Sequence, residues 1–535
     1  MIAGASSAVR CAMRTLAEEP GFVLPASLLD DLTTGVLAEA AAERLLVRTP
    51  LTDRPLAEIP LSTTSDVACA VQRARAAQRV WSSLRPQRRA AIVLDFHDRL
   101  LAGREELLDL IQLETGKTRA NAYEEIAEVA NLARYYARTA AGLLAPRRRR
   151  GVLPVLGAAT QTRLPRGVVG VITPWNYPFA LSLGESIAAL LAGNAVVLRP
   201  DPRTGLSALW GLRRLQEAGL PSAVLQVVTG EGDPVGEAVV KHADYVSFTG
   251  STRVGRGVSA VAAQRMIGCH LELGGKNACY LRPDAPLDAA VEIALRGAFS
   301  GAGQVCVHTE RLVLHEAIAE EFLGLFLPAV REMRLGVGLE YGFDMGSLLG
   351  ADQLQRVSDH VEDARRHGAR VLAGGRHRPD IGPWVYEPTV LDGVTAAMEV
   401  RDAETFGPVV SVYRVDDDAA AVRLINDSDY GLHATIVSAD RRAARRLAPL
   451  LRTGTVSINE TYLASWGAIG AAMGARGESG TGGRHGTDGL LKYTVVQSVA
   501  EQRAGALGVR GPGPQRRFAE LFSRSLMAAR RSRLR

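Results

Sequence analysis

Short β-branched runs alternate with helical stretches through residues 167–248, and this alternation limits the possible folds more than any other feature of the chain. Residues 167–172 (GVVGVI) stop at Pro174, residues 194–198 (NAVVL) follow a helical segment at 181–191, and residues 223–228 (AVLQVV) and 244–248 (DYVSF) continue the series. Apolar runs of this length with helices between them indicate a parallel sheet covered on both faces, an α/β fold. A dinucleotide binds such a sheet at the carboxyl ends of its strands. The pattern returns at 311–315, in a long helix at 318–333 and at 369–372, which predicts a second α/β domain. Between 65 and 145 the apolar residues recur at three and four, as in packing helices.

At 535 residues the chain exceeds one ordinary core and calls for two or three domains. Five scattered cysteines (Cys11, Cys69, Cys269, Cys279, Cys306) form no CxxC pair and no metal-ligand spacing, so neither a disulfide framework nor a metal site is expected, and a reducing cytoplasm fits. No signal peptide or spanning helix is legible. The net charge of +6 is concentrated at one end: nine arginines against two glutamates follow residue 500, leaving the rest near neutral. The arginines at 147–150 lack interleaved aromatics and read as a solvated face, so no nucleic acid partner is expected.

The chemistry gathers at two motifs. Glu272-Leu273-Gly274-Gly275-Lys276-Asn277 is followed thirty-four positions after its glutamate by Cys306, in Gly303-Gln304-Val305-Cys306. Cysteine is the strongest nucleophile among the side chains near neutral pH, and a nearby glutamate can deprotonate a water that clears an acyl group from the sulfur. The adjacent glycines would let backbone approach a ligand closely. Gly250-Ser251-Thr252-Arg253-Val254-Gly255 follows an expected strand and opens a helix, which suits a pyrophosphate at a helix N-terminus. Asn176 ends a strand between Trp175 and Tyr177, where its amide could donate to a developing oxyanion.

With Thr173-Pro174-Trp175-Asn176-Tyr177-Pro178 upstream and Glu404-Thr405-Phe406-Gly407-Pro408 downstream, these motifs resemble, in order and spacing, the aldehyde dehydrogenase superfamily over about residues 51–497. The resemblance implies an aldehyde dehydrogenase-like fold with cofactor and catalytic α/β domains and a small β arm for oligomerisation. It assigns Cys306 as nucleophile, Glu272 as the base for hydrolysis and Asn176, with the backbone amide of Cys306, as oxyanion donors. Thr173, Pro174, Trp175, Gly250, Ser251, Gly255, Leu273, Glu404 and Phe406 are then expected at the cofactor. Retention of Glu272 implies a carboxylic acid product rather than transfer to coenzyme A. Where most members read Lys-Pro-Ser or Lys-Pro-Ala followed by Glu, this chain reads Arg199-Pro200-Asp201-Pro202. Losing that glutamate and gaining an arginine favours NADP, with Asp201 as an alternative ligand for the ribose hydroxyls of NAD.

The expected divisions are an N-terminal extension at 1–45, a cofactor domain at 46–150 and 166–275, a catalytic domain at 276–470, an arm at 151–165 and 480–500, and a basic amphipathic tail at 501–535. Along its whole length the chain is most similar to the bacterial NADP-type succinate-semialdehyde dehydrogenases. Yet Ser300 stands where better-known enzymes of that kind carry an arginine, Gly184 falls near another such position, and Tyr462 and Trp466 suggest an apolar mouth. Three readings stay open: oxidation of succinate semialdehyde, a broader specificity for medium-chain or aromatic aldehydes, and a non-catalytic relative. The family implies a homodimer or homotetramer. The arginine-rich tail, with apolar residues at helical spacing, would lie on an anionic membrane surface or dock on protein.

Overall fold

The structure is a computed structural model that describes residues 24–149, 157–230, 232–503 and 509–531. It divides into two compact units, one of residues 1–143 and 165–494, the other of residues 144–164 and 495–535. Most of the expected N-terminal extension and the first part of the expected arm lie outside the described residues.

The first unit contains both large sheets. Strands β1 (Val168–Ile172), β2 (Ala195–Arg199), β3 (Leu225–Val227), β4 (Tyr245–Thr249) and β5 (Gly268–Glu272) form one, in the order β5-β4-β1-β2-β3, all parallel. Residues Gly480–Thr481 extend it antiparallel to β5. Every residue of β1 is buried, and the helix after it, Pro178–Leu191, is buried on all sides. That explains a helical sequence with no polar face. Its first residue is proline, whose missing N–H costs nothing at that position.

The second sheet holds β6 (Asn277–Leu281), β7 (Thr309–His315), β8 (Arg370–Ala373), β9 (Thr389–Asp392), β10 (Val409–Val415), β11 (His433–Val437) and β12 (Thr455–Ile458). Their order is β8-β9-β10-β7-β6-β11-β12, parallel except for the β8–β9 pair. Side chains alternate between its two cores. Cys279, Leu281, Leu312 and Leu314 join the cluster that includes Phe299, Phe322 and Phe326, whereas Ala278, Tyr280 and Val313 face the cluster under Ile425 and Leu451. Each fully buried Leu or Phe here contributes about 1.5–3 kcal/mol.

Four residues, 273–276, carry the chain from the end of β5 directly to the start of β6, so the Glu272–Asn277 motif is the crossover between the sheets. In the second unit, strands Thr494–Gln502, Gly157–Pro165 and Arg147–Arg149 form a three-stranded sheet, and the tail forms the helix Pro512–Arg531. Among the described residues no helix is long and apolar enough to cross a membrane.

Candidate active site

Because β1, β2, β4 and β5 are parallel, the segments following them share one edge, where two cavities lie. One, of about 210 Å³, is walled by Pro174, Trp175, Asn176, Leu181, Thr249, Gly250, Ser251, Glu272, Leu273, Gly274, Cys306, Gln353, Arg356, Glu404 and Phe406. The other, of about 540 Å³, includes Trp175, Arg199, Asp201, Arg203 and Gln353 in its wall. Trp175 and Gln353 belong to both, so the two are neighbouring parts of one groove.

The Asn176 wall is held from behind. The buried Lys117 ammonium donates to Asn176 O at 2.7 Å and to Glu125 Oε1 at 2.6 Å, while Glu125 Oε2 accepts from Phe179 N at 2.9 Å and Ala180 N at 3.0 Å. The Asn176 side chain donates one amide hydrogen to Gln304 O at 2.9 Å, and its second hydrogen is available to a ligand.

Cys306 is set by a tight turn through Gly301, Ala302 and Gly303, all at positive φ, and at Ala302 that conformation is strained for a residue with a β-carbon. The close approaches expected of the motif glycines are made to the protein itself rather than to a ligand. A β-carbon at Gly303 would lie 2.0 Å from Gly407 O, one at Gly275 2.7 Å from Cys306 O, and one at Gly274 2.5 Å from Glu404 Oε2. Asn277 Nδ2 also donates to Cys306 O at 2.8 Å, which fastens the Cys306 backbone to the start of β6. Burial, and then the Glu272 carboxylate, push the Cys306 thiol up to about 12, with Arg484 opposing them. The resting sulfur is therefore a thiol, and the thiolate expected as the attacking species forms only when its proton is removed.

Behind the opposite wall, Lys276 pairs with Glu310 and donates to Ala403 O at 2.8 Å. Glu310 Oε1 accepts from Thr405 N at 2.8 Å and Phe406 N at 3.0 Å. The Glu404 side chain accepts from Gly275 N at 2.8 Å, and burial followed by the nearby Glu310 pushes its carboxyl up to about 8. Phe406 meets Trp175 edge-on, with ring centroids 5.5 Å apart.

In the larger cavity Arg199 Nη2 donates to Gly230 O at 2.6 Å. Asp201 is gripped by Arg203, from Nε at 3.0 Å and Nη2 at 2.9 Å. Arg203 also lies over the Trp175 ring, 5.9 Å from its centroid.

The sequence matches the Aldehyde dehydrogenase family over residues 37–499. The chain belongs to that family. It is 48% identical, over 84% of its length and 87% of the relative's, to the "Putative succinate-semialdehyde dehydrogenase [NADP(+)]" of Mycolicibacterium smegmatis. Among solved structures it resembles an E. coli NADP-dependent enzyme at 30% identity and TM-score 0.82, covering 87% of this chain and 97% of that one. It also resembles a betaine aldehyde dehydrogenase mutant of Staphylococcus aureus in complex with NAD+, at 29% identity and TM-score 0.83, covering 88% and 96%.

Of the catalytic and cofactor residues expected in this aldehyde dehydrogenase, two do not wall the groove. Thr173 is buried, its hydroxyl 2.8 Å from that of Ser182, and Gly255 makes room for Leu273, whose side chain a β-carbon there would meet at 2.4 Å. Arg311 and His308, close to Cys306 in sequence, wall neither cavity: Arg311 donates to Lys276 O, Leu424 O and Ile425 O, and His308 Nδ1 lies 2.7 Å from Val305 O. Tyr462 and Trp466, expected at an apolar mouth, wall neither cavity. Trp466 packs edge-on to Tyr177 and Tyr462, but both tyrosine hydroxyls donate to Glu124 Oε2, at 3.1 and 3.2 Å, and burial raises that carboxyl above its usual range. Sequence reading missed Glu124, Lys117, Arg203, Gln353 and Arg356. Only the last two left a signal, since three positions apart on the helix Ala351–Arg366 they share a face.

Proposed function

We propose that the protein oxidises an aldehyde to a carboxylic acid through a thioester on Cys306, using NADP, with succinate semialdehyde as substrate. The observation that carries this reading is that Cys306, Asn176 and Glu272, from three separate segments, wall one cavity adjoining a groove suited to a dinucleotide. The groove fits such a cofactor chemically. It lies at the carboxyl ends of parallel strands, with arginines in its larger part and two aromatic rings in its smaller part. Arg199, Arg203 and Trp175 would hold the adenosine half, Glu404 and Phe406 the nicotinamide half. When bound, the cofactor supplies an acceptor for the aldehyde hydrogen.

Cys306 gives its proton up to solvent and its sulfur adds to the aldehyde carbon, while the free amide hydrogen of Asn176 and the Cys306 N–H donate to the oxyanion. Loss of the aldehyde hydrogen leaves an acyl group on sulfur. Glu272 then takes a proton from a water whose oxygen attacks the acyl carbon, and the acid departs as sulfur regains its proton.

The cofactor preference rests on Arg203. By pairing with Asp201 it offsets a carboxylate of the larger cavity's wall that would repel a 2′-phosphate, and the similarity to relatives named for NADP(+) points the same way. Comparing the two cofactors should show the lower Michaelis constant with NADP, and Arg203→Ala should shrink the difference severalfold. A clear preference for NAD would refute the assignment. The second substrate reading, medium-chain or aromatic aldehydes, is favoured by the tyrosines and tryptophan around Glu124 and by Ser300. A panel of purified aldehydes separates the two. The same proposal gives a cytoplasmic homodimer or homotetramer pairing through the exposed Val495, Val496 and Val499, with the helix Pro512–Arg531 and its exposed Leu521 and Leu526 available for a peripheral membrane contact.

A further inference from the structure

We propose that His270 is a positioning residue that holds a proton for Glu272, resting on the reading of Glu272 as the base. Both lie on β5 two positions apart, so the pleat aims their side chains to the same face. His270 Nε2 stands 3.1 Å from Glu272 Oε1. The ring is 1% exposed, and neither its two nitrogens nor Glu272 Oε1 has a hydrogen-bond partner in this arrangement. Buried polar atoms without partners are rare in native folds and call for an explanation, and here two imidazole nitrogens and one carboxylate oxygen stand together.

The setting favours such a role. A β-carbon at Gly482, which sits at φ +100°, would be 2.4 Å from His270 Nδ1, so the ring occupies space that only glycine leaves. Around the pair lie Glu185, Arg484 and Lys492. Arg484 Nε is 2.9 Å from Glu185 Oε1, Lys492 Nζ is 2.8 Å from Glu185 Oε2, and the Tyr493 hydroxyl also donates to that carboxylate. Burial alone would raise the Glu185 carboxyl, but Lys492, Arg484 and His270 hold it below its usual range, so a fixed negative charge, itself paired with two cations, lies within electrostatic reach of the imidazole. Ser247, paired with His270 across the sheet, contributes a buried hydroxyl.

The proton balance is simple. In hydrolysis the water gives its oxygen to the acyl carbon and one proton to Glu272. That proton passes to His270 Nε2, making an imidazolium opposite Glu185, and returns through Glu272 to the sulfur as the C–S bond breaks. With His270 unable to titrate, the proton stays on Glu272 or must reach solvent.

The test compares His270→Gln and His270→Ser with Glu272→Gln, after confirming native melting temperature and NADPH binding. The readouts are the pre-steady-state burst of NADPH and kcat between pH 6 and 10. Both histidine variants should keep a full burst yet turn over at least tenfold more slowly at pH 7, recovering towards wild type by pH 9 as solvent hydroxide clears the proton. A loss that is equal at every pH would show a purely structural role and overturn the proposal. So would histidine variants within twofold of wild type while Glu272→Gln has lost turnover, and in that case the base assignment stands. If Glu272→Gln itself turns over normally, the base assignment falls and this inference with it.

Discussion

Two buried ion pairs stand behind opposite walls of the groove with the same design. Lys117 pairs with Glu125 and also donates to Asn176 O; Lys276 pairs with Glu310 and also donates to Ala403 O. Each glutamate accepts from two consecutive backbone amides, Phe179 and Ala180 in one case, Thr405 and Phe406 in the other. They differ in what they join. Lys117 and Glu125 both belong to the helical layer before the first sheet and grip one stretch of backbone, whereas Lys276 and Glu310 tie two reactive motifs to each other. Their carboxyls are also shifted in opposite directions. Burial keeps the Glu125 carboxyl above its usual range despite Lys117, while Lys276 and the neighbouring His308 overcome the burial of Glu310 and hold it below. Loops that wall the groove are thus fixed by ion pairs one layer behind them, and the glutamate of the second pair is the more firmly ionised.

The strongest way to break this comparison is to remove one lysine. Lys117→Met or Lys276→Met leaves an unpaired buried carboxylate, and each should cost about 3–5 kcal/mol in denaturant unfolding, with the neutral doubles Lys117→Met/Glu125→Gln and Lys276→Met/Glu310→Gln recovering more than half. Kinetics should separate the pairs: the Lys117 variant loses kcat, since it loosens Asn176, and the Lys276 variant raises the Michaelis constant for the cofactor, since it loosens Glu404 and Phe406. Identical profiles would mean that both serve stability alone.

A smaller effect isolates the Asn176 wall. Asn176→Ala should lower kcat by about 10²- to 10³-fold with little change in melting temperature, as expected for one lost oxyanion donor. A loss below tenfold would leave the Cys306 amide as the main donor.

The smallest effect tests the sulfur between the walls. Alkylation of Cys306 by iodoacetamide should be slow at pH 7 and rise about tenfold per pH unit, because the thiolate reacts and the thiol sits near 12. Glu272→Gln removes a negative charge that raises the thiol, so its labelling should be a few-fold faster at the same pH. A rate that levels off near pH 9 would place the thiol in the ordinary range.

Much of this was legible in the chain. The β-branched runs announced the parallel sheet, and Cys306, Glu272, Asn176, Glu404 and Phe406 stood out because each belongs to a short motif of unusual composition. The second ion pair was half visible, with Lys276 inside one motif and Glu310 four residues past Cys306. The first was not visible, since nothing near Lys117 or Glu125 in sequence refers to Asn176.

The sequence by itself determined the local order: which runs are strands, which residue follows each strand, and which side chains are chemically able to attack, donate or deprotonate. Only the tertiary structure decided that Gly303 yields to the Gly407 backbone rather than to a ligand, that Arg203 pairs with Asp201, that Glu124 joins the hydroxyls of Tyr177 and Tyr462 and that His270 stands against Glu272 beside a glycine far along the chain. The physical reason is that periodicity reports a side chain's direction within its own element, whereas electrostatic and steric interactions depend on distance in space, which the packing of remote elements sets.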